Sequence, residues 1–322
     1  MCTAITYKKN YFGRNLDLDY SYNEGVTVTP GNYPLKFRKK EEIKNHYAII
    51  GMAVVEENYP LYFDGMNEYG VAMAGLTFHR NLCYREYDEK KDNITPFEFI
   101  PWVLAQCKDM EEVKRLLKNI NILNMSFSDK VGLSPLHWII SDKESAVTVE
   151  ATESGVMVCD NPVGVLTNDP GFDMQLFNLN NYMGLTAKPP QNRFSEDVEL
   201  FNYCKGLGAV GLPGDLSSMS RFVKATFTKL NSVSGEGEDE NVSQFFHILG
   251  SVYQQRGCVI TEDGKYEITR YSSCMSREKG IYYYTTYENC AVTAVDINRV
   301  DKSGSELITY RLMREARICY QN

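Results

Sequence analysis

Met1-Cys2-Thr3-Ala4-Ile5-Thr6-Tyr7 and, after Lys8-Lys9-Asn10, Tyr11-Phe12-Gly13-Arg14-Asn15-Leu16-Asp17 form the stretch that decides how this chain is built. Residues alternate from Cys2 to Tyr7, and the polar turn sends the chain back, so the pattern predicts a β-hairpin with Cys2 beside the second strand. Loss of Met1 would leave Cys2 with both a thiol and a free α-amino group. An α-amine has a pKa of about 7.7–8.0, so it can accept the thiol proton without help from a histidine. Arg14 near the sulfur would favour the thiolate, and Asp17 near the amine would hold the ammonium form. Each feature also has an ordinary explanation: a second-position cysteine as a small strand residue, and Arg14 with Asp17 as a strand-end ion pair.

Outward from the hairpin, strands are expected at 47–54, 61–66 and 71–78. Helices follow from Thr95-Pro96-Phe97-Glu98 to Gln106 and from Met110 to Lys118, the first opened by a capping residue and an N-terminal proline. Strands return at 136–141, 146–151 and 155–160. Helices are then expected at 172–182, 196–204, 217–230 and 241–254. Strands at 265–271, 274–277, 281–287, 291–296 and 306–311 close the chain as an antiparallel meander. Stretches 186–192 and 232–240 read as exposed loops, the second rich in Gly, Glu and Asp. Strands in blocks between blocks of helices imply an α+β fold, two sheets packed together and covered by helices.

The 322 residues suffice for a large core, and 22 tyrosines against 2 tryptophans favour sheet. A formal charge of −8 argues against nucleic acid as a partner. With neither a basic-then-apolar leader nor a long apolar run, the expectation is a soluble cytoplasmic protein that does not enter membranes. The nine cysteines, Cys2, Cys83, Cys107, Cys159, Cys204, Cys258, Cys274, Cys290 and Cys319, include no Cys-x-x-Cys pair. No metal site is expected from them, and most of the other eight read as buried free thiols.

Met1-Cys2-Thr3 followed by Phe12-Gly13-Arg14-Asn15-Leu16-Asp17 resembles the choloylglycine hydrolase family, the bile salt hydrolases and penicillin V acylases. Later blocks resemble it in the same order: Asp64-Gly65-Met66-Asn67-Glu68, Leu136-His137-Trp138, Gly164-Val165-Leu166-Thr167-Asn168, Asn180-Asn181-Tyr182, Gly211-Leu212-Pro213-Gly214-Asp215, Ser220-Arg221-Phe222 and Gly280-Ile281-Tyr282-Tyr283-Tyr284. The resemblance spans nearly the whole chain. It implies a four-layer αββα sandwich of the N-terminal nucleophile hydrolase type, formed by residues 2–322 after removal of Met1. It further implies Cys2 as nucleophile and, through its amine, base; Arg14, Asp17 and Arg221 as the charged shell; Asn168 as an oxyanion donor; no cofactor; and a homotetramer. Thr77 departs from the pattern, since bile salt hydrolases usually have asparagine there and penicillin V acylases often have tyrosine. If the backbone N–H of Thr77 is the second oxyanion donor, the chemistry survives the change and substrate choice is what it affects.

The implied reaction is acyl transfer from an amide to Cys2 and then to water, with conjugated bile salts as substrate. Leu16, Leu18, Phe63, Met73 and Phe78 are candidates for an apolar pocket, each equally readable as core. Leu207, in Gly206-Leu207-Gly208, is a candidate for the amino-acid half of the substrate or else part of a helix C-cap. His137 reads as a hydrogen-bonded structural histidine, and Tyr282-Tyr283-Tyr284 as a half-buried strand. Two alternatives stay open: an acylase of the same fold acting on penicillin V or another N-acyl compound, and a non-catalytic lipid-binding protein that keeps Met1.

Overall fold

The computed structural model describes residues 1–322. Sixteen strands run β1 (Cys2–Tyr7), β2 (Tyr11–Leu18), β3 (Gly25–Thr29), β4 (Ile49–Glu56), β5 (Tyr59–Asn67), β6 (Ala72–Thr77), β7 (Asp92–Ile94), β8 (Ile120–Ile122), β9 (Leu136–Ser141), β10 (Ala146–Thr152), β11 (Gly155–Asp160), β12 (Val165–Leu166), β13 (Ile268–Ser276), β14 (Ile281–Thr286), β15 (Thr293–Asp296) and β16 (Ile308–Arg311). The α-helices are α1 (Phe99–Leu104), α2 (Met110–Leu116), α3 (Phe172–Asn178), α4 (Ser218–Asn231) and α5 (Glu238–Gly250). None of them is long and apolar enough to cross a membrane.

Two antiparallel sheets form the middle of the molecule, one ordered β12-β1-β2-β13-β14-β15 and the other β11-β10-β9-β6-β5-β4-β3-β16. Helices α4 and α5 pack on the first sheet and α1 on the second, giving the four layers of an αββα sandwich. The strands alternate their side chains between the two faces. On β6, Ala72, Ala74 and Leu76 enter the core between the sheets. Met73, at an intervening position, enters the core beneath α1 with Phe99, Val103 and Trp138. With both faces covered, such strands read as nearly unbroken apolar runs.

The hairpin forms in the expected register, Cys2 opposite Leu16, Thr3 opposite Asn15 and Ala4 opposite Arg14. Gly13 is required by close packing, because a Cβ there would lie 2.0 Å from the carbonyl oxygen of Ser273 on β13. Several expectations are corrected. Residues 196–204 form no helix, and Leu200, Phe201 and Tyr203 are exposed, leaving a helix no surface to bury against. The stretches expected at 265–271 and 274–277 merge into one strand, β13, which spans only Ile268–Ser276, and Ile308–Arg311 leaves the meander to pair with β3 in the other sheet. The acidic residues Glu238, Asp239 and Glu240 form the first turn of α5, where they complement the helix dipole, and not a loop. Only Cys107 and Cys274 join Cys2 as buried thiols; Cys204, Cys258, Cys290 and Cys319 are exposed.

Candidate active site

Cys2 is 2% exposed at the start of β1. Its direct neighbour across the strand is Leu16, and the flanking residues of β2 divide between the two faces of the sheet. Arg14 points between the sheets, where its Nη1 donates to the carbonyls of Gly75 (2.5 Å) and Phe63 (3.1 Å), while its Nη2 is buried without a partner. Asp17 lies toward the helices, where Oδ1 accepts from the Thr269 hydroxyl (2.6 Å) and Oδ2 is buried without a partner. Two unsatisfied groups of opposite sign therefore flank Cys2. Such orphans are costly in a core and mark a site that meets another group in use.

Two further elements converge on Cys2. Arg221 of α4 donates from Nη1 to the Cys2 carbonyl (2.5 Å) and the Thr3 hydroxyl (2.7 Å), and from Nη2 to Asn168 Oδ1 (2.7 Å). Asn168 follows β12; its Oδ1 also accepts from the Cys2 nitrogen (2.8 Å), and its Nδ2 donates to the Thr77 carbonyl (2.8 Å). The Asn168 backbone is itself fixed, its N–H donating to Ser218 Oγ (2.8 Å) and its carbonyl accepting from Gln175 Nε2 (2.5 Å).

Thr77 is placed by sheet geometry. Phe78 N–H donates to the Pro135 carbonyl (2.9 Å), and Thr77 is the adjoining position opposite Leu136. Only alternate residues of an antiparallel pair exchange hydrogen bonds, so the Thr77 N–H and C=O face the other edge of β6. Strand β5 pairs with β6 only as far as Ala74, which leaves that edge open. The free edge thus carries the Gly75 carbonyl to Arg14, the Thr77 carbonyl to Asn168, and an unclaimed Thr77 N–H.

Burial raises the Asp17 carboxyl above its ordinary pKa, against the lowering effect of Arg221 and the terminal ammonium. Burial lowers that of Arg221, opposed by Asp17 and Cys2. Burial also disfavours the Arg14 cation, but the acidic groups around it, Cys2, Tyr271 and Asp64, outweigh it and hold Arg14 above its ordinary value. Asp64, fully buried, accepts from the hydroxyls of Tyr271 and Tyr282 at 2.6 Å each.

Residues 2–310 match the family described as linear amide C-N hydrolases, choloylglycine hydrolase family. The chain belongs to the choloylglycine hydrolase family. Within it, the chain is similar to a bile salt hydrolase/transferase of Lactiplantibacillus plantarum, 55% identical over 98% of both chains. It is 39% identical to a bile salt hydrolase/transferase of Clostridium perfringens over the full length of both. The conjugated bile acid hydrolase structure from Clostridium perfringens superposes with a TM-score of 0.92 at 38% identity, each chain covered completely. A penicillin V acylase structure from Agrobacterium tumefaciens shares the fold, with a TM-score of 0.74 at 19% identity over 98% of this chain and 94% of that one.

The structure brings together Cys2, Arg14, Asp17, Thr77, Asn168 and Arg221, the cluster that the resemblance to the choloylglycine hydrolase family singles out. The expected pocket residues divide. Leu18 and Phe63 are partly exposed beside this cluster, Phe63 5.5 Å from the ring of Tyr22. Leu16 is core at 3% exposure, and Phe78 is fully buried, stacked at 4.5 Å on His137. Met73 is a correction, since the pleat turns it to the opposite face of its sheet from Cys2. Leu207 lies in a short 3₁₀ turn whose Gly208 carbonyl accepts from Thr186 N–H (2.9 Å), and no helix precedes it for Gly206 to cap. His137 is fully buried, Nδ1 2.9 Å from Glu150 and Nε2 2.9 Å from the Thr167 carbonyl, consistent with a structural histidine. Tyr282 and Tyr284 are buried with Tyr283 between them half-buried, the period-two strand expected. Glu267, absent from the motifs, joins the site through the N-terminus: the Met1 ammonium donates to its Oε1 at 2.5 Å.

Proposed function

We propose that the protein is a bile salt hydrolase, which cleaves the amide of glycine- or taurine-conjugated bile acids through a thioester on Cys2. The observation that carries this is the convergence of an unsatisfied guanidinium, an unsatisfied carboxylate and a held asparagine amide on one buried N-terminal cysteine. In this reading Met1 is removed. The Cys2 nitrogen, now an amine, takes the thiol proton, and the thiolate beside Arg14 attacks the acyl carbon. The oxyanion accepts from the second Nδ2 proton of Asn168 and from the Thr77 N–H; one such donor contributes about 100–1,000-fold in rate. The ammonium, held by Asp17, protonates the departing amine and, neutral again, activates the water that hydrolyses the thioester.

Leu18 and Phe63 fit an apolar acyl part, and the relatives named for bile salts favour a steroid over a penicillin side chain. An acylase of penicillin V or another N-acyl compound is the second reading; the absence of tyrosine at Thr77 speaks against it. Turnover of taurocholate, glycocholate and penicillin V on one preparation decides between them. Penicillin V faster by tenfold or more, about 1.4 kcal/mol in the barrier, would reverse the ranking. A cytoplasmic location and a homotetramer belong to the same reading. Exposed Phe177, Met183, Phe194, Phe201, Tyr203 and Val210 offer an apolar surface that self-association would cover.

A further inference from the structure

Met1 continues β1 by one residue, its carbonyl accepting from Asp17 N–H (3.0 Å) and its ammonium donating to the Asp17 carbonyl (2.8 Å) and to Glu267 (2.5 Å). The Glu267 side chain is 14% exposed. It immediately precedes β13 and is held in place, its N–H donating to the Val259 carbonyl (3.0 Å). Two residues on, Thr269 donates to Asp17 Oδ1 (2.6 Å). The entrance to β13 therefore supports both carboxylates that face the N-terminus. An extended strand advances about 3.4 Å per residue, so the amine freed at Cys2 by loss of Met1 lies within about 6 Å of Glu267. Over that range an opposite charge favours the ionised form of a group.

We propose that Glu267 is a positioning residue of the mature enzyme, whose negative charge acts with Asp17 to stabilise the Cys2 α-ammonium and so sets the pH range of proton exchange between amine, thiol and leaving group. This rests on the assignment of Cys2 as an N-terminal nucleophile. The charged groups facing that amine are Asp17 and Arg14 from β2, Arg221 from α4 and Glu267 from the start of β13; the Cys2 thiol is its own neighbour, and Asn168 adds a neutral oxygen. Lys265 sits further out, 3.6 Å from Asp19. Arg14, Asp17 and Arg221 are fully buried, whereas Glu267 reaches solvent, so its charge can be removed at least cost to the fold.

The test compares wild type, Glu267→Gln and Glu267→Asp, each released from a cleavable leader so that Cys2 is the first residue, as verified by intact mass. The pH profile of kcat/KM for glycocholate and the pH dependence of Cys2 alkylation by iodoacetamide are measured. In Glu267→Gln both limbs of the profile and the alkylation curve move to lower pH by about 0.5 unit or more, because the ammonium loses a counter-charge. Glu267→Asp keeps most of the wild-type profile. A Glu267→Gln profile that falls uniformly without moving, or does not change, overturns the proposal. Absence of glycocholate hydrolysis in wild type with Cys2 first, or full activity in Cys2→Ala, would instead overturn the nucleophile assignment.

Discussion

The side-chain oxygen of Asn168 accepts from the Cys2 nitrogen at 2.8 Å and from Arg221 Nη2 at 2.7 Å. Only an oxygen can accept from both, so Nδ2 must face Thr77, with one proton on the Thr77 carbonyl and one free for a substrate. A single side chain thereby ties the nucleophile, the charge behind it and the oxyanion position together.

Asn168→Asp keeps the accepting oxygen and loses both amide protons. We expect kcat for glycocholate to fall by about 100-fold or more with KM changed little, since the lost interaction forms in the transition state. Steady-state kinetics that show an undiminished kcat would remove Asn168 from the oxyanion site.

Thr77 separates backbone from side chain. Thr77→Asn keeps the N–H and is expected to retain kcat within a few-fold while shifting preference among taurocholate, glycocholate and penicillin V. Thr77→Pro deletes an N–H that the β-ladder does not use and is expected to lower kcat by about 100-fold. Equal activity of the two variants, with matched melting temperatures, would show that the donor lies elsewhere.

The hairpin, the charged cluster and the two-sheet plan were legible in the sequence because each rests on local alternation or on motif order. What was not legible depends on partners distant in the chain. Nothing about Leu200 or Phe201 announces that no surface covers them, and Ile308–Arg311 chooses β3 over the meander through a long-range register, Ile308 opposite Val28. Met73 and Ala74 differ by one position, yet the pleat sends them to opposite faces. Glu267 stands 266 residues from Met1 and belongs to no motif, so only the fold places it at the N-terminus.

Asp17 carries a stability cost. Burial raises its carboxyl pKa in the folded state, so the folded protein binds the proton more tightly than the unfolded chain. The cost is full above the folded pKa and disappears as pH falls toward about 3.9, the unfolded value. Asp17→Asn is expected to be more stable than wild type at neutral pH, to lose that advantage on acidification, and to lose turnover. Urea unfolding at several pH values gives the difference, and an Asp17→Asn protein less stable at neutral pH would contradict it.

His137 and Glu150 form a buried pair beneath Phe78. His137→Ala strips Glu150 of one partner, leaving it the Phe172 N–H at 3.0 Å, and is expected to cost about 2–4 kcal/mol of stability. The pH dependence of Cys2 alkylation should not move. A shift in that dependence would mean that an imidazole activates the thiol after all.

The central claim is that Cys2, as the first residue, carries the acyl group. Mass spectrometry of the N-terminal peptide, after acid quench of the enzyme turning over glycocholate, tests it most directly. The account predicts a peptide that begins at Cys2 and bears a cholyl thioester, which is absent in Cys2→Ala. An active enzyme that retains Met1, or one whose N-terminal peptide stays unmodified while Cys2→Ala turns over at the wild-type rate, would contradict it.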